Sequence, residues 1–197
     1  MLTKSELLFL KTQGLAADDV FDAQGRPIKD IRGEAKALGK MLVVGVPCGS
    51  GGHRLRTRHG HCVQCKPATL GYLKRASAFG DVYIAVSPSL KWTKVGSTTN
   101  REQRFAKLNF DAYGNASDWR PVFWITAEQS GRVELDTHRK LSRYSVEATY
   151  IKDGKPQVSR ECFTCPAIVA LNAIVQIIQR EGYKTSRHWR DERYRWK

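Results

Sequence analysis

Four reactive side chains occur in a fixed order through the middle of this chain of 197 residues. Tyr83 lies in Gly80-Asp81-Val82-Tyr83-Ile84-Ala85, a short apolar run with strand character. Lys94-Val95-Gly96 closes a second such run. Arg104 follows Gly96 by eight positions at the start of a helix-like stretch, and Glu134 comes about thirty residues later on another. A phenol, an ammonium, a guanidinium and a carboxylate brought together suit cleavage of a phosphodiester with a metal ion.

That chemistry needs a positioned nucleophile, a clamp for the charge that grows on phosphorus, and help for the leaving oxygen. Glu134 is the expected ligand of a catalytic Mg2+ or Mn2+, because hard cations take oxygen donors and often only one or two carboxylates. Arg104 can hold non-bridging oxygens with its planar fork. Tyr83 would position or deprotonate the attacking water, with Lys94 supporting the same transfer or the phosphate charge. His138, one helical turn beyond Glu134, shares its face and is expected to orient a water or touch phosphate.

Short elements must hold these groups. The runs around Tyr83 and Val95 read as paired strands, and Val122-Phe123-Trp124-Ile125-Thr126 as a third. Thr99 or Asn100 can cap a helix through Arg104 and Leu108. A second helix is expected over 132–144, then a strand and turn over 149–154. The strongly apolar stretch from Pro166 to Ile178 predicts a core helix ending at Gly182. Upstream, 3–14 reads as an amphipathic helix with a Thr3/Glu6 capping box and a stop at Gly14. Residues 16–30 read as a connector, 32–40 as a short helix stopped by Gly39, 41–46 as a buried strand, and 47–52 as a tight loop.

Cys48, His53, Cys62 and Cys65 follow the spacing Cys-x4-His-x8-Cys-x2-Cys. Four thiolate and imidazole ligands predict a closed, structural zinc site. Glycines at 49, 51 and 52 let one limb bend around the ion, and the segment resembles small zinc-binding knuckles. His59 and His61 offer alternative ligands, and Cys162-Phe163-Thr164-Cys165 is a second Cys-x2-Cys, read here as small buried apolar residues.

The formal net charge of +14 points to a polyanionic partner, for which nucleic acid is the usual candidate. Between Glu34 and Asp81 there is no acidic residue, and Arg54, Arg56, Arg58 and Lys66 there are the expected nucleic-acid contacts. A second basic stretch, from Lys184 to Lys197, is interleaved with Trp189, Tyr194 and Trp196, rings that can stack on bases. No apolar run approaches the eighteen or so residues of a spanning helix. The N-terminal residues lack signal-peptide regions, which predicts a cytoplasmic protein without a membrane partner.

In order and spacing, Tyr83, Gly96, Arg104 and Glu134 resemble the motifs of the GIY-YIG nuclease superfamily over roughly residues 79–165. Asp81 stands where the first motif would have glycine, and Lys94 replaces the second tyrosine, as in a branch that includes some restriction endonucleases. Glu161, before Cys162-Phe163, resembles a Glu-aromatic motif of some relatives and neighbours the expected site. The resemblance implies an α+β fold, with a small mixed or antiparallel three-stranded sheet flanked by helices. It also implies a metal-dependent endonuclease acting on DNA, double-stranded in the first instance, in restriction, phage defence or mobile-element cleavage. The alternatives are an inactive nucleic-acid-binding module, or a nuclease for single-stranded or structured DNA or RNA. The expected organisation is a helical and strand segment over 1–46, the zinc knuckle and a basic linker over 47–78, the nuclease core over 79–182, and a basic tail over 183–197.

Overall fold

The structure, a computed structural model, describes residues 1–196, and the side chains of these except residues 72 and 75. The chain divides into two compact units, Met1–Lys74 and Arg75–Lys197.

In the first unit, α1 (Lys4–Thr12) starts as the sequence predicts: the Thr3 side chain accepts from the Glu6 N–H, and the Glu6 carboxylate accepts from the Thr3 N–H. Residues 16–30 are more than a connector, because β1 (Val20–Asp22) lies there and pairs in parallel with β2 (Leu42–Val44). A parallel pair needs a crossover, which α2 (Ile28–Ala37) supplies. This helix begins four residues before the expected start, so that Ile31 and Ala35, one turn apart, bury on one face. It stops before Gly39, whose φ of +67° a side chain would disfavour. Antiparallel β3 (Leu55–Thr57) completes a three-stranded sheet. Leu10, Leu42, Leu55, Val63 and Leu70 close a small core over it, each worth about 2 kcal/mol of apolar burial. Helix α3 (Ala68–Ser77) carries the chain into the second unit.

The second unit is built on a sheet of six strands in the order β7-β8-β5-β4-β6-β9, with antiparallel neighbours throughout. Its elements are β4 (Gly80–Ser87), β5 (Trp92–Thr98), α4 (Arg101–Phe110), β6 (Arg120–Ala127), α5 (Ser130–Lys140), β7 (Ser145–Lys152), β8 (Lys155–Phe163), α6 (Ala167–Glu181) and β9 (Thr185–Arg190). The expectation of three strands is thereby corrected: β5, β4 and β6 form the centre, and three more strands extend it. Of these, β7 (Ser145–Lys152) overlaps the strand expected over 149–154, while β8 and β9 lacked an apolar signal. Strands β7 and β8 join through Asp153-Gly154, both with positive φ, but β8 exposes most of its first six residues. Strand β9, within the stretch read as a basic tail, is exposed at every position.

Val82, Ile84 and Val95 face α5 and α6 and pack with Val133, Ile174 and Ile177. Tyr83 and Ala85 face the other way, into a second cluster with Leu108, Tyr113, Trp119 and Cys162. The strand period of two separates the faces, so adjacent residues of β4 serve different layers. Among the described residues, no helix is long and apolar enough to cross a membrane.

Candidate active site and metal centre

Tyr83 lies directly opposite Gly96 in the ladder of β4 and β5. Its ring is fully buried and meets Phe105 of α4 edge-on at 5.2 Å. Helix α4 starts at Asn100, whose side chain accepts from the Gln103 N–H. That start brings Arg104 over the strand, and its Nε donates to the Tyr83 Oη at 2.9 Å.

Lys94 shares this face of the sheet and is wholly enclosed. Its Nζ is ion-paired with Glu161 of β8 and lies 4.4 Å from the centre of the Tyr113 ring. The Tyr113 hydroxyl donates to the same Glu161 oxygen at 3.3 Å, and Arg104 Nη2 stands 3.8 Å from it. Burial works against the Lys94 charge, but the oxygens of Tyr83 and Glu161 outweigh it and hold the pKa above the usual lysine range. Burial likewise pushes the Glu161 carboxyl up, and Lys94 more than reverses this, leaving it lowered.

The β5–β8 ladder runs only through Thr93 and Lys94, and at Val95 the strands no longer pair. Groups from the opposite face enter at this split. His138 of α5 lies 3.0 Å from the Val95 carbonyl, with Nε2 as the donor, and burial lowers its pKa, which favours the neutral ring. Glu134, one turn earlier, accepts from the Ser97 hydroxyl and lies 3.9 Å from His138. Its carboxyl is pushed up to about 7, first by burial and next by the charge of Glu161. Glu134 is thus a largely enclosed carboxylate with no cation bound directly to it among the described residues, a group that calls for a proton or a metal ion. One hard oxygen donor of this kind fits Mg2+ or Mn2+, which keep several waters and take phosphate oxygens.

The structure therefore brings together Tyr83, Lys94, Arg104, Glu134 and His138. It adds Glu161, named from sequence only as a neighbour, and Tyr113 and Ser97, which sequence reasoning missed. Tyr113 sits in a turn with left-handed backbone at Ala112, Gly114 and Asn115, and no periodic pattern marks it. Glu161 had a usable signal: a carboxylate beside the buried Cys162 and Phe163 near the end of a strand.

A separate cluster lies in the first unit. One ligand atom from each of Cys48, His53, Cys62 and Cys65 falls within 4.8 Å of every other. Cys48 and Cys65 sulfurs are 3.6 Å apart, and His53 Nδ1 is 3.3 Å from Cys65 and 3.8 Å from Cys62. A tetrahedral ion with bonds of about 2.0–2.3 Å needs ligand separations near these values, so the four atoms could hold zinc. Gly51 makes room for the imidazole, since a Cβ there would lie 2.7 Å from His53 Cε1. Cys162 and Cys165 are buried in the second unit's core, in keeping with the apolar reading of them.

Two of the expected nucleic-acid contacts are engaged within the first unit. Arg54 pairs with the buried Glu6 at 2.6 Å, and Arg56 donates to the Val46 and Gly60 carbonyls. Arg58 is half-buried and Lys66 exposed.

The fold defines an α+β protein. The model of the T5orf172 domain matches residues 80–181, just over half of the chain, and the chain belongs to that family, which is associated with nuclease-like and DNA-binding functions. This match corrects the assignment drawn from the spacing of Tyr83, Gly96, Arg104 and Glu134: the family is T5orf172, not GIY-YIG. No curated protein and no solved structure matches the chain.

Proposed function

We propose that the second unit is a metal-dependent DNA endonuclease. The observation that carries this reading is Glu134, a largely enclosed carboxylate with no cation bound to it among the described residues, lying within electrostatic reach of Glu161, Lys94 and the Arg104 that holds Tyr83. A bound Mg2+ or Mn2+ would supply Lewis acidity toward the phosphate and its leaving oxygen. Glu134 would hold the ion, with Ser97 fixing the carboxylate and His138 placed to orient a coordinated water. Arg104 gives its Nε to Tyr83 and stands with Nη2 3.8 Å from Glu161, and its terminal nitrogens would clamp a non-bridging oxygen. Tyr83 positions the attacking water. Lys94, fixed by Glu161, holds positive charge beneath the ring.

Zinc at Cys48, His53, Cys62 and Cys65 is the second part of the reading, with a structural role. Val63 lies between two of the ligands and is buried in the first unit's core, so the ion would staple a small sheet.

The test is incubation of plasmid, single-stranded DNA and RNA with Mg2+ or with EDTA, beside Glu134→Ala and Arg104→Ala. Cleavage that needs metal and both side chains supports the endonuclease. Cleavage indifferent to metal and to both substitutions refutes it. Binding without cleavage of any substrate establishes the non-catalytic nucleic-acid-binding alternative.

A further inference from the structure

The catalytic face of the sheet does not end at Tyr83. In the ladders, Tyr83 is opposite Trp124 of β6, and Trp124 is opposite Trp189 of β9. Directly paired residues of an antiparallel sheet project to the same side. Gly96, Tyr83, Trp124 and Trp189 therefore form one row that runs from the reactive groups to the sheet's edge. Strands are about 4.8 Å apart, which places Trp189 roughly 10 Å from Tyr83. Arg187, two residues before Trp189 on the strand, is exposed.

The middle of the row is held in position. The Arg101 guanidinium lies 3.5 Å above the Trp124 ring and is ion-paired with Asp81 at 3.2 Å. Its Nη1 is buried and has no hydrogen-bond partner among the described residues. An unused cationic donor beside a tryptophan calls for an anionic, acceptor-bearing ligand. At the edge, the Trp189 side chain remains 39% exposed, which is unusual for so large a ring on a strand.

We infer that this row is a track for an unpaired DNA strand, with Trp189 stacking a base next to the phosphate held at Tyr83 and Arg104. The inference rests on the nuclease reading for the position of that phosphate. Charge selects the occupant. An edge strand bearing Arg187, His188 and Arg190 repels a second copy of itself and attracts a polyanion. Stacking needs the face of a base, which a continuous duplex hides between its neighbours. Trp189 therefore makes the protein prefer a single strand, a flap or a frayed end over an intact duplex.

The experiment compares a blunt duplex, the same duplex with a single-stranded flap, and the single strand alone, each carrying 2-aminopurine near the expected cut. Binding to wild type, Trp189→Ala and Trp189→Tyr is measured in EDTA, and cleavage in Mg2+. The expected result is quenching of the unpaired 2-aminopurine by wild type and Trp189→Tyr but not by Trp189→Ala. Affinity of Trp189→Ala for the flap and single strand falls about tenfold, with duplex affinity nearly unchanged. Equal losses on all three substrates, or none on the single strand, would overturn the inference. So would a Trp189-dependent dimer in sedimentation whose formation excludes DNA. Glu134→Ala separates the two readings, because it should abolish cleavage while leaving the quenching intact. If wild type cuts nothing but quenching still depends on Trp189, the nuclease reading fails and the stacking track stands.

Discussion

Gly96 leaves room for Tyr83: a Cβ at position 96 would lie 2.5 Å from the Tyr83 hydroxyl oxygen and 2.6 Å from its ring carbon Cζ. Gly96 is therefore a steric requirement of Tyr83, imposed by their direct pairing across β4 and β5. Gly96→Ala must push the ring from its place beside Arg104. The expected outcome is a fall in cleavage rate of roughly 100-fold and a stability loss of about 1–3 kcal/mol from overpacking. Single-turnover kinetics beside urea denaturation check both, and a variant with wild-type rate would show that the Tyr83 position does not matter.

Glu161 compensates a lysine that has no access to water. Removing one partner of a fully buried pair costs about 3–5 kcal/mol. Glu161 keeps about a third of its side chain in solvent, so Glu161→Ala should cost less, roughly 2 kcal/mol. Lys94→Met, which removes the charge and fills the space, should be better tolerated in stability than Glu161→Ala. Thermal melts of the two variants, run side by side, would contradict this if the order were reversed.

Glu134 predicts a dependence of stability on pH. Its folded pKa of about 7 lies above the ordinary carboxylate value of 4.5, so the folded state holds a proton that the unfolded state releases. The unfavourable contribution is absent below pH 4.5, grows as pH rises from there to 7, and is complete above 7. In EDTA, Glu134→Gln should stabilise the protein by about 3 kcal/mol at pH 8 and by little at pH 4. The same proton competes with a metal ion, so Mg2+ affinity should fall about tenfold for each unit of pH below 7. Denaturation and Mg2+ titrations across pH 5–8 would show a flat response if the carboxyl titrated normally.

The cysteine cluster predicts equimolar zinc in purified protein, lost in Cys62→Ser. Because Val63 anchors the knuckle in the core with Leu10, Leu42 and Leu55, losing the ion should unprotect amides well beyond the loop. Hydrogen exchange should show faster exchange over residues 42–66 on chelation, while β4 and β5 keep their protection. Unchanged exchange in the first unit would assign the cluster no structural role.

The sequence by itself carried everything that depends on local order. The Thr3/Glu6 box, the Asn100 cap, the apolar period of α6 and the Cys-x4-His-x8-Cys-x2-Cys spacing are interactions among near neighbours, so their residue types announce them. The strands and helices that carry Tyr83, Lys94, Arg104, Glu134 and His138 were legible in the same way, because each lies within a local strand or helix signal, whereas the roles of these side chains belong to the proposal. The family was not legible from their spacing. Nor were β8 and β9, whose solvent-facing residues carry no apolar alternation. Only tertiary structure decided that Glu161, far along the chain, meets Lys94, that Gly96 makes space for Tyr83, and that Trp189 extends the row of Trp124. Those relations arise from strand register, and register is set by which distant segments bury their faces together.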